Sequence, residues 1–351
     1  MHFKTDDLRI EGLRPLLPPA ILMDELPLPD AGTETVAHAR EGIGQVLAGK
    51  DSRLLVVVGP CSIHDPAAGL EYAKLLAQAA EQHAEDLLVV MRVYFEKPRT
   101  IVGWKGLIND PHLDNSFAIN EGLRSARKFL LQVTELGLPV GSEFLDPIMP
   151  QFIADVISWG AIGARTSESQ VHRELTSGLS MPVGIKNGTN GDVQVAIDAI
   201  RSCAHPHHFL SVTKQGVAAI VATRGNDECH IILRGGSNGP NYSAEHVQAV
   251  TSALEAAQLA PQIMIDCSHA NSGKDHVQQV EVAHSVAQQI ATGKSPICGI
   301  MLESFLQAGN QKHPSDTPLE YGKSITDACM DWAETEKLLA HFAEAARTSR
   351  S

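Results

Sequence analysis

The chain has 351 residues, 43% of them hydrophobic and 20% charged, a balance ordinary for a globular protein of one large domain or two medium ones. Its 28 basic and 41 acidic residues give a net charge of −13, which argues against nucleic acid or an anionic membrane surface as a partner. No apolar run approaches the roughly 20 residues of a membrane span, the opening residues carry no signal-peptide pattern, and the six cysteines form no CxxC pair, so a cytoplasmic protein with free thiols is expected.

In chain order, Asp6 to Ile10 reads as a short extended arm and Leu16 to Leu28, rich in proline, as irregular. Residues 33–49 are helical by period, with Val36, Ala39, Ile43, Val46 and Leu47 on one side. Five consecutive large apolar residues, 54–58, then form a strand buried on both faces, broken by Gly59-Pro60 and followed by a helix at 67–83. Strand and helix go on alternating: 87–95 and 120–136, 139–145 and 148–159, 161–165 and 168–179, 182–186 and 192–203. Residues 209–213 and 217–223 are both strand-like but only three residues apart, too few for a parallel crossover, so 209–223 is expected to be an inserted antiparallel hairpin. Strand 229–234 with helix 243–258, strand 262–267 with helix 274–291, strand 297–302 and a closing helix at 331–347 complete the pattern.

Eight strands alternating with helices predict an α/β protein with a (β/α)8 TIM barrel at 51–351, preceded by an arm and helix at 1–50. The alternative is a doubly wound open sheet, but no GxGxxG follows an early strand.

In a barrel the C-terminal ends of the strands converge on one mouth. Here they carry Cys61; Arg92 and Lys97; Glu143; Arg165; Lys186; Arg234; and then Asp266, His269 and Glu303. With Arg99 this makes six cations, Arg92, Lys97, Arg99, Arg165, Lys186 and Arg234, on an acidic protein. A lone Arg or Lys is usually a solvated surface charge. Six after buried strands suggest a mouth built for one or two small polyanions, because guanidinium forks bind phosphate and carboxylate bidentately. Cys61, His269, Glu303 and a later acid, with Asp327 the candidate, form a second set. Singly, each is more simply a core thiol or a hydrogen-bonded polar group; together they offer one S, one N and two O donors, which suits a divalent transition metal with an open position. By strand alternation Cys267 should face away from His269.

Several segments match a known family. Gly59-Pro-Cys-Ser-Ile-His-Asp65, Met91-Arg-Val-Tyr-Phe-Glu-Lys-Pro-Arg-Thr100, Gly103-Trp-Lys-Gly-Leu-Ile-Asn-Asp-Pro111, Gly160-Ala-Ile-Gly-Ala-Arg-Thr166, Ile231-Ile-Leu-Arg-Gly-Gly236, Asp266-Cys-Ser-His-Ala-Asn271 and Tyr321-Gly-Lys-Ser-Ile-Thr-Asp327 resemble the type I 3-deoxy-D-arabino-heptulosonate 7-phosphate (DAHP) synthases. The resemblance runs along nearly the whole chain. It implies a transferase that condenses phosphoenolpyruvate with erythrose 4-phosphate and water, releasing phosphate, at the entry to the shikimate pathway of aromatic amino acid synthesis.

Carried over by position, the resemblance makes Cys61, His269, Glu303 and Asp327 ligands of a divalent metal ion, with Mn2+ the first expectation and Fe2+, Co2+ or Zn2+ the others that such donors accept. Arg92, Lys97, Arg165, Lys186 and Arg234 become the phosphoenolpyruvate site, with the Ala164 amide beside the phosphate and Glu143 at its edge. Arg99 and Thr100 become the contact to erythrose 4-phosphate. Lys97 is placed to protonate the nascent alkoxide, with Cys61 and His269 beside it. An aromatic amino acid effector is implied at Phe144, Pro147, Gln151, Leu175, Leu179, Ser180, Phe209, Ser211 and Val221, completed by Asp6 and Asp7 from a neighbour's arm in a homodimer or homotetramer. Proline at 147 is typical of tyrosine-sensing members, so tyrosine is the expected effector. Two rival readings differ in what they need. A Schiff-base aldolase on Lys186 leaves Cys61, His269 and Glu303 idle, and a catalytically dead sensor barrel would have broken site positions, whereas every one here is intact.

Overall fold

The computed structural model describes residues 3–99, 103–293, 295–314 and 317–350. In chain order its elements are α1 (Pro19–Glu25), α2 (Asp30–Leu47), β1 (Leu54–Gly59), α3 (Pro66–Gln82), β2 (Leu87–Arg92), α4 (Ile119–Glu135), β3 (Val140–Glu143), α5 (Pro150–Ile153), β4 (Trp159–Ile162), α6 (Gln170–Thr176), β5 (Val183–Lys186) and α7 (Gln194–Cys203). There follow β6 (His208–Val212), β7 (Ala218–Ala222), β8 (Cys229–Leu233), α8 (Ala244–Ala256), β9 (Ile263–Asp266), α9 (His276–Ala291), β10 (Ile297–Glu303) and α10 (Trp332–Ser349).

Eight strands close into one parallel barrel in the order β1-β10-β9-β8-β5-β4-β3-β2, while β6 and β7 pair antiparallel outside it as the expected hairpin. Each barrel strand is buried on both faces, and the alternation sorts its residues between two cores. Leu54, Val56 and Val58 pack outward under the helices; Leu55 and Val57 pack inward with Val90, Trp159, Ala161, Ile232, Met264 and Met301. Fully burying a side chain of this size is worth about 1.5–3 kcal/mol. Gly184 leaves room for the inward indole: a Cβ there would lie 2.6 Å from Trp159 Cζ2. Ile43, Val46 and Leu47 of α2 join the same inner cluster. The N-terminal helix therefore packs onto the barrel's interior rather than standing apart from it.

That parity also aims the chemistry. Arg92 continues the inward series of Leu88 and Val90, and Glu303 continues that of Met301. In register, Met301 pairs with Asp266 and Ile232 with Lys186. Asp266 and Lys186 thus stand with Arg92 and Glu303 in the top layer, and Cys267 faces outward into the other core, as the alternation predicts.

The boundaries depart from expectation in four places, each for a local reason. Residues 19–25 form α1 rather than irregular chain, because the prolines sit at its N-cap and first turn, where their missing N–H costs nothing. Strand β2 ends at Arg92, since beyond it the chain leaves the ladder and Tyr94 gives its carbonyl to Ile63 N. The helix expected at 148–159 shrinks to α5. Arg127 takes the carbonyl of Phe152, and Arg40 takes those of Ala154 and Ile157, so the acceptors a longer helix would use are already engaged. The strand expected at 161–165 is displaced to β4. Gly160 lies inside it against the Phe144 ring, and Thr166 N bonds Gly163 O, which puts Ala164 and Arg165 on the turn that follows.

Candidate functional site

The barrel's C-terminal mouth opens into a cavity of about 260 Å³, lined by Lys97, Arg99, Glu143, Ala164, Arg165, Lys186, Thr189, Arg234, His269, Lys274 and Asp327 among others. Pro60 stops β1 and turns Cys61 into the floor beneath it. Arg92, fully buried, holds that turn by donating Nε to Pro60 O (3.2 Å) and Nη2 to Cys61 O (3.3 Å). Its guanidinium also donates to Glu303 Oε1 at 2.8 Å and lies 3.7 Å over the Tyr94 ring. Lys97 reaches over the floor from the segment after β2, with Nζ 2.8 Å from Cys61 O and 3.1 Å from Cys61 Sγ. Gly106 permits that segment's position, because a Cβ there would sit 1.8 Å from Phe95 O; Lys97 N then bonds Lys105 O at 2.8 Å.

Asp327 arrives on the 320–331 loop. Hydrogen bonds between the Ser62 and Thr326 hydroxyls (2.8 Å) and from Met330 N to Glu303 O (3.0 Å) pin this loop to the ends of β1 and β10. Cys61 Sγ and one oxygen each of Glu303 and Asp327 all lie within 4.8 Å of one another. His269 is not within that mutual distance of all three, although its Nε2 lies 3.8 Å from Glu303 Oε1; its Nδ1 lies 2.8 Å from Asp266 Oδ2. Three of the four expected metal ligands therefore meet, and the fourth borders them.

On the opposite wall Lys186 Nζ donates to Asp266 Oδ2 at 2.9 Å. Arg234 is half-buried, its backbone fixed by Arg234 N to Asn187 Oδ1 (2.9 Å) and Gly235 N to Asn241 Oδ1 (2.7 Å). At Gly235 φ is +72° and a Cβ would lie 2.7 Å from Asn271 N, so only glycine makes this turn. Arg165 is exposed and Ala164 half-exposed on the β4 turn, both lining the cavity. Arg99 donates to Trp104 O at 2.8 Å at the rim, and Thr100 lies outside the described residues.

The electrostatics follow from burial among mixed charges. Burial and the Glu303 carboxylate push the Cys61 thiol up, with Lys97 and Arg92 pulling the other way. Burial lowers His269. Burial alone would raise Asp266, but His269 and Lys186 hold it well below the usual carboxylate range. Asp327 is likewise kept low against its burial by Lys274 and Lys97. Glu96, just behind Lys97, is pushed up to about 7 by burial and by Asp146.

Sequence reasoning named Asp266 without giving it a role, and missed Lys274, Thr189, Gln279 and the asparagines 187 and 241. Lys274 Nζ lies 3.2 Å from Asp327 Oδ1. Gln279, buried on α9, grips the Glu303 backbone with its one amide, Oε1 accepting from Glu303 N at 2.8 Å and Nε2 donating to Glu303 O at 3.0 Å. Nothing in their spacing marks Lys274 and Gln279, since each acts through a contact across 24 or more residues, whereas Asn241 meets Gly235 locally.

The expected effector positions lie on three neighbouring elements. Phe144 and Leu175 are buried, Gln151 and Leu179 half-buried, and Phe209, Ser211 and Val221 form the half-buried face of the hairpin. Lys214 on the hairpin turn donates to Gln151 O at 2.5 Å, and Ser177 bonds Thr223 at 2.7 Å, so hairpin, α5 and α6 are tied together. Pro147 and Ser180 are exposed. Asp6 and Asp7 are exposed on the arm and, among the described residues, hydrogen-bond only locally.

The family model described as the DAHP synthetase I family matches residues 31–340. The chain is 59% identical over 350 residues, all of both proteins, to the Phe-sensitive phospho-2-dehydro-3-deoxyheptonate aldolase of Escherichia coli K12. It is 55% identical to the tyrosine-inhibited phospho-2-dehydro-3-deoxyheptonate aldolase of Schizosaccharomyces pombe, covering 98% of this chain and 94% of that one. Among solved structures, the phospho-2-dehydro-3-deoxyheptonate aldolase of Francisella tularensis SCHU S4 superposes with a TM-score of 0.95 at 53% identity, covering 97% of this chain and all of that one.

Proposed function

This chain belongs to the DAHP synthetase I family, and on that premise we propose how its barrel mouth works: a divalent metal, a set of buried cations and an aromatic effector site serve one condensation. The activity is that of a DAHP synthase, an enzyme of the shikimate pathway. No helix among the described residues is long and apolar enough to cross a membrane.

A metal suits the residues present. Two carboxylates and a thiol have ligand atoms within 4.8 Å of one another, and with His269 beside them the set has the mixed donors of a borderline divalent ion. Cys61, His269, Glu303 and Asp327 would hold it. When bound, such an ion supplies Lewis acidity at the aldehyde oxygen of erythrose 4-phosphate. Mn2+ is the ion we favour.

The remaining work falls to the chain itself. Arg165, Arg234 and Lys186, with the Ala164 amide, bind the phosphate and carboxylate of phosphoenolpyruvate. Glu143 lines the edge of that site. Arg92 fixes both Cys61 and Glu303 while adding its charge beneath the substrate. Arg99 at the rim, with Thr100 as its sequence neighbour, holds the phosphate of erythrose 4-phosphate. C3 of phosphoenolpyruvate then bonds to the aldehyde carbon, Lys97 gives a proton to the resulting alkoxide, water adds at C2, and phosphate leaves. The single observation carrying this reading is the contact of Lys97 with Cys61 under a cavity ringed by cations. Phosphate release that requires both substrates together tests it.

Feedback enters at the seam between hairpin, α5 and α6, which the contacts of Lys214 with Gln151 and of Ser177 with Thr223 tie together. Relatives at 59% and 55% identity carry different effectors in their names, so overall identity does not choose between them. Pro147 supports tyrosine: a small fixed ring leaves space for a phenolic hydroxyl, and a site that bonds this hydroxyl would reject phenylalanine. The arm carries exposed Phe3, Leu8, Ile10 and Leu13, which supports its covering a second copy in a homodimer or homotetramer. Residues 1–50 then act as an oligomer and regulatory extension of the 51–351 barrel.

A further inference from the structure

We infer that Asp266 is a positioning residue that joins the metal ligand His269 to the phosphoenolpyruvate cation Lys186 through one shared carboxylate oxygen, so that one buried side chain sets up both binding sites. The inference rests on the assignment of His269 and Lys186 proposed above.

Asp266 ends β9 and is fully buried. Its Oδ2 accepts from Lys186 Nζ at 2.9 Å and lies 2.8 Å from His269 Nδ1. Its Oδ1 accepts from both Ser268 N (3.0 Å) and Ser268 Oγ (2.6 Å). An ionised carboxylate can only accept, so Nδ1 of His269 carries the proton. The Ser268 hydroxyl has its own proton committed to Asp266, and its lone pair faces the same Nδ1 at 2.8 Å. The neutral ring is therefore held with Nε2 bare, and that nitrogen points at the cluster, 3.8 Å from Glu303 Oε1. A metal-binding imidazole needs this tautomer.

His269 occupies a left-handed backbone conformation, φ +53°, which a non-glycine residue keeps only when its surroundings hold it there. Asn271 adds to that hold by donating Nδ2 to Asp266 O at 2.8 Å. On the other side, Lys186 projects from β5 with its ammonium nearly excluded from water, where its position depends on the carboxylate it meets. Because one oxygen serves both partners, rotating the carboxylate to suit either would break the other contact. Outer residues of this kind typically set metal affinity by 10–100-fold.

The test is two titrations on each of five proteins: Mn2+ against protein free of phosphoenolpyruvate, and phosphoenolpyruvate against metal-free protein, with the melting temperature of the metal-free form recorded. Asp266→Asn should weaken both ligands, each by roughly 10–100-fold. Ser268→Ala, which removes a contact to His269 and one to Asp266 Oδ1 but leaves the Oδ2 shared with Lys186, should weaken Mn2+ several-fold and leave phosphoenolpyruvate unchanged, with the metal-free melting temperature near wild type. Loss of only one ligand in Asp266→Asn, or of neither, overturns the inference. Should Asp266→Asn fail to fold, Ser268→Ala decides, and unchanged Mn2+ affinity there overturns it. His269→Ala and Lys186→Ala separate this failure from a deeper one. If His269→Ala leaves Mn2+ affinity intact, or Lys186→Ala leaves phosphoenolpyruvate affinity intact, the underlying site assignment fails instead.

Discussion

The ammonium of Lys97 lies 3.1 Å from the thiol sulfur of Cys61 in the buried floor of the mouth. Burial and Glu303 raise the thiol, so at neutral pH it is protonated in the metal-free protein. Burial lowers His269, which is neutral there and has no proton to give from the imidazolium form, and Asp327 is held ionised. Mn2+ binding near pH 7.5 should therefore release about one proton, that of Cys61, and affinity should fall as pH falls. Calorimetry in two buffers of different ionisation enthalpy measures the count. Zero protons released would mean the thiol is not a ligand.

The two groups of cations should divide between the substrates. Arg234, half-buried, should cost roughly 2–5 kcal/mol of phosphoenolpyruvate binding when changed to Ala, seen as a large rise in its KM. Arg165 is exposed before substrate arrives, so Arg165→Ala should give the same pattern with a smaller loss. Arg99→Ala should act on the KM of erythrose 4-phosphate instead. Equal effects of all three on both substrates would contradict the division.

Glu96 gives a pH signature in stability. Its carboxyl is pushed up from the usual carboxylate range to about 7 by burial and Asp146, so the folded state prefers it protonated. The associated stability is fully present below the unfolded value and is lost as pH rises through about 7. Glu96→Gln should therefore gain on wild type in unfolding free energy between pH 5 and pH 8, by about 3 kcal/mol, read as a melting-temperature difference that widens with pH. A constant difference across that range would count against it.

Much of this was legible in the chain because period-2 alternation carries both the core and the chemistry. The valines of β1 and the inward series ending in Arg92 fixed which side chains meet at the mouth, and the three-residue gap after Thr213 gave the hairpin. What the sequence hid depends on contacts across the fold. Arg127 and Arg40 shorten α5 by taking its carbonyls, and Gly160 lies within a strand because Phe144 packs on it. Asp266 was visible at a strand end, yet its two partners, one of them 80 residues away, were not.

Regulation should report on the arm and on Pro147. Tyrosine should inhibit at lower concentration than phenylalanine or tryptophan, and deletion of residues 1–10 should abolish inhibition while sparing catalysis. Inhibition by phenylalanine at about tenfold lower concentration than tyrosine, equivalent to 1.4 kcal/mol in the opposite sense, would overturn the proline argument. Undiminished inhibition in the truncated protein would overturn the arm.

The central claim is that a metal-bearing barrel mouth performs the condensation, and phosphate release from phosphoenolpyruvate and erythrose 4-phosphate tests it most directly. Turnover should vanish after chelation, return on addition of Mn2+, and be absent with or without Mn2+ in a folded Cys61→Ala protein. Full turnover by chelator-treated, metal-free protein would contradict the account.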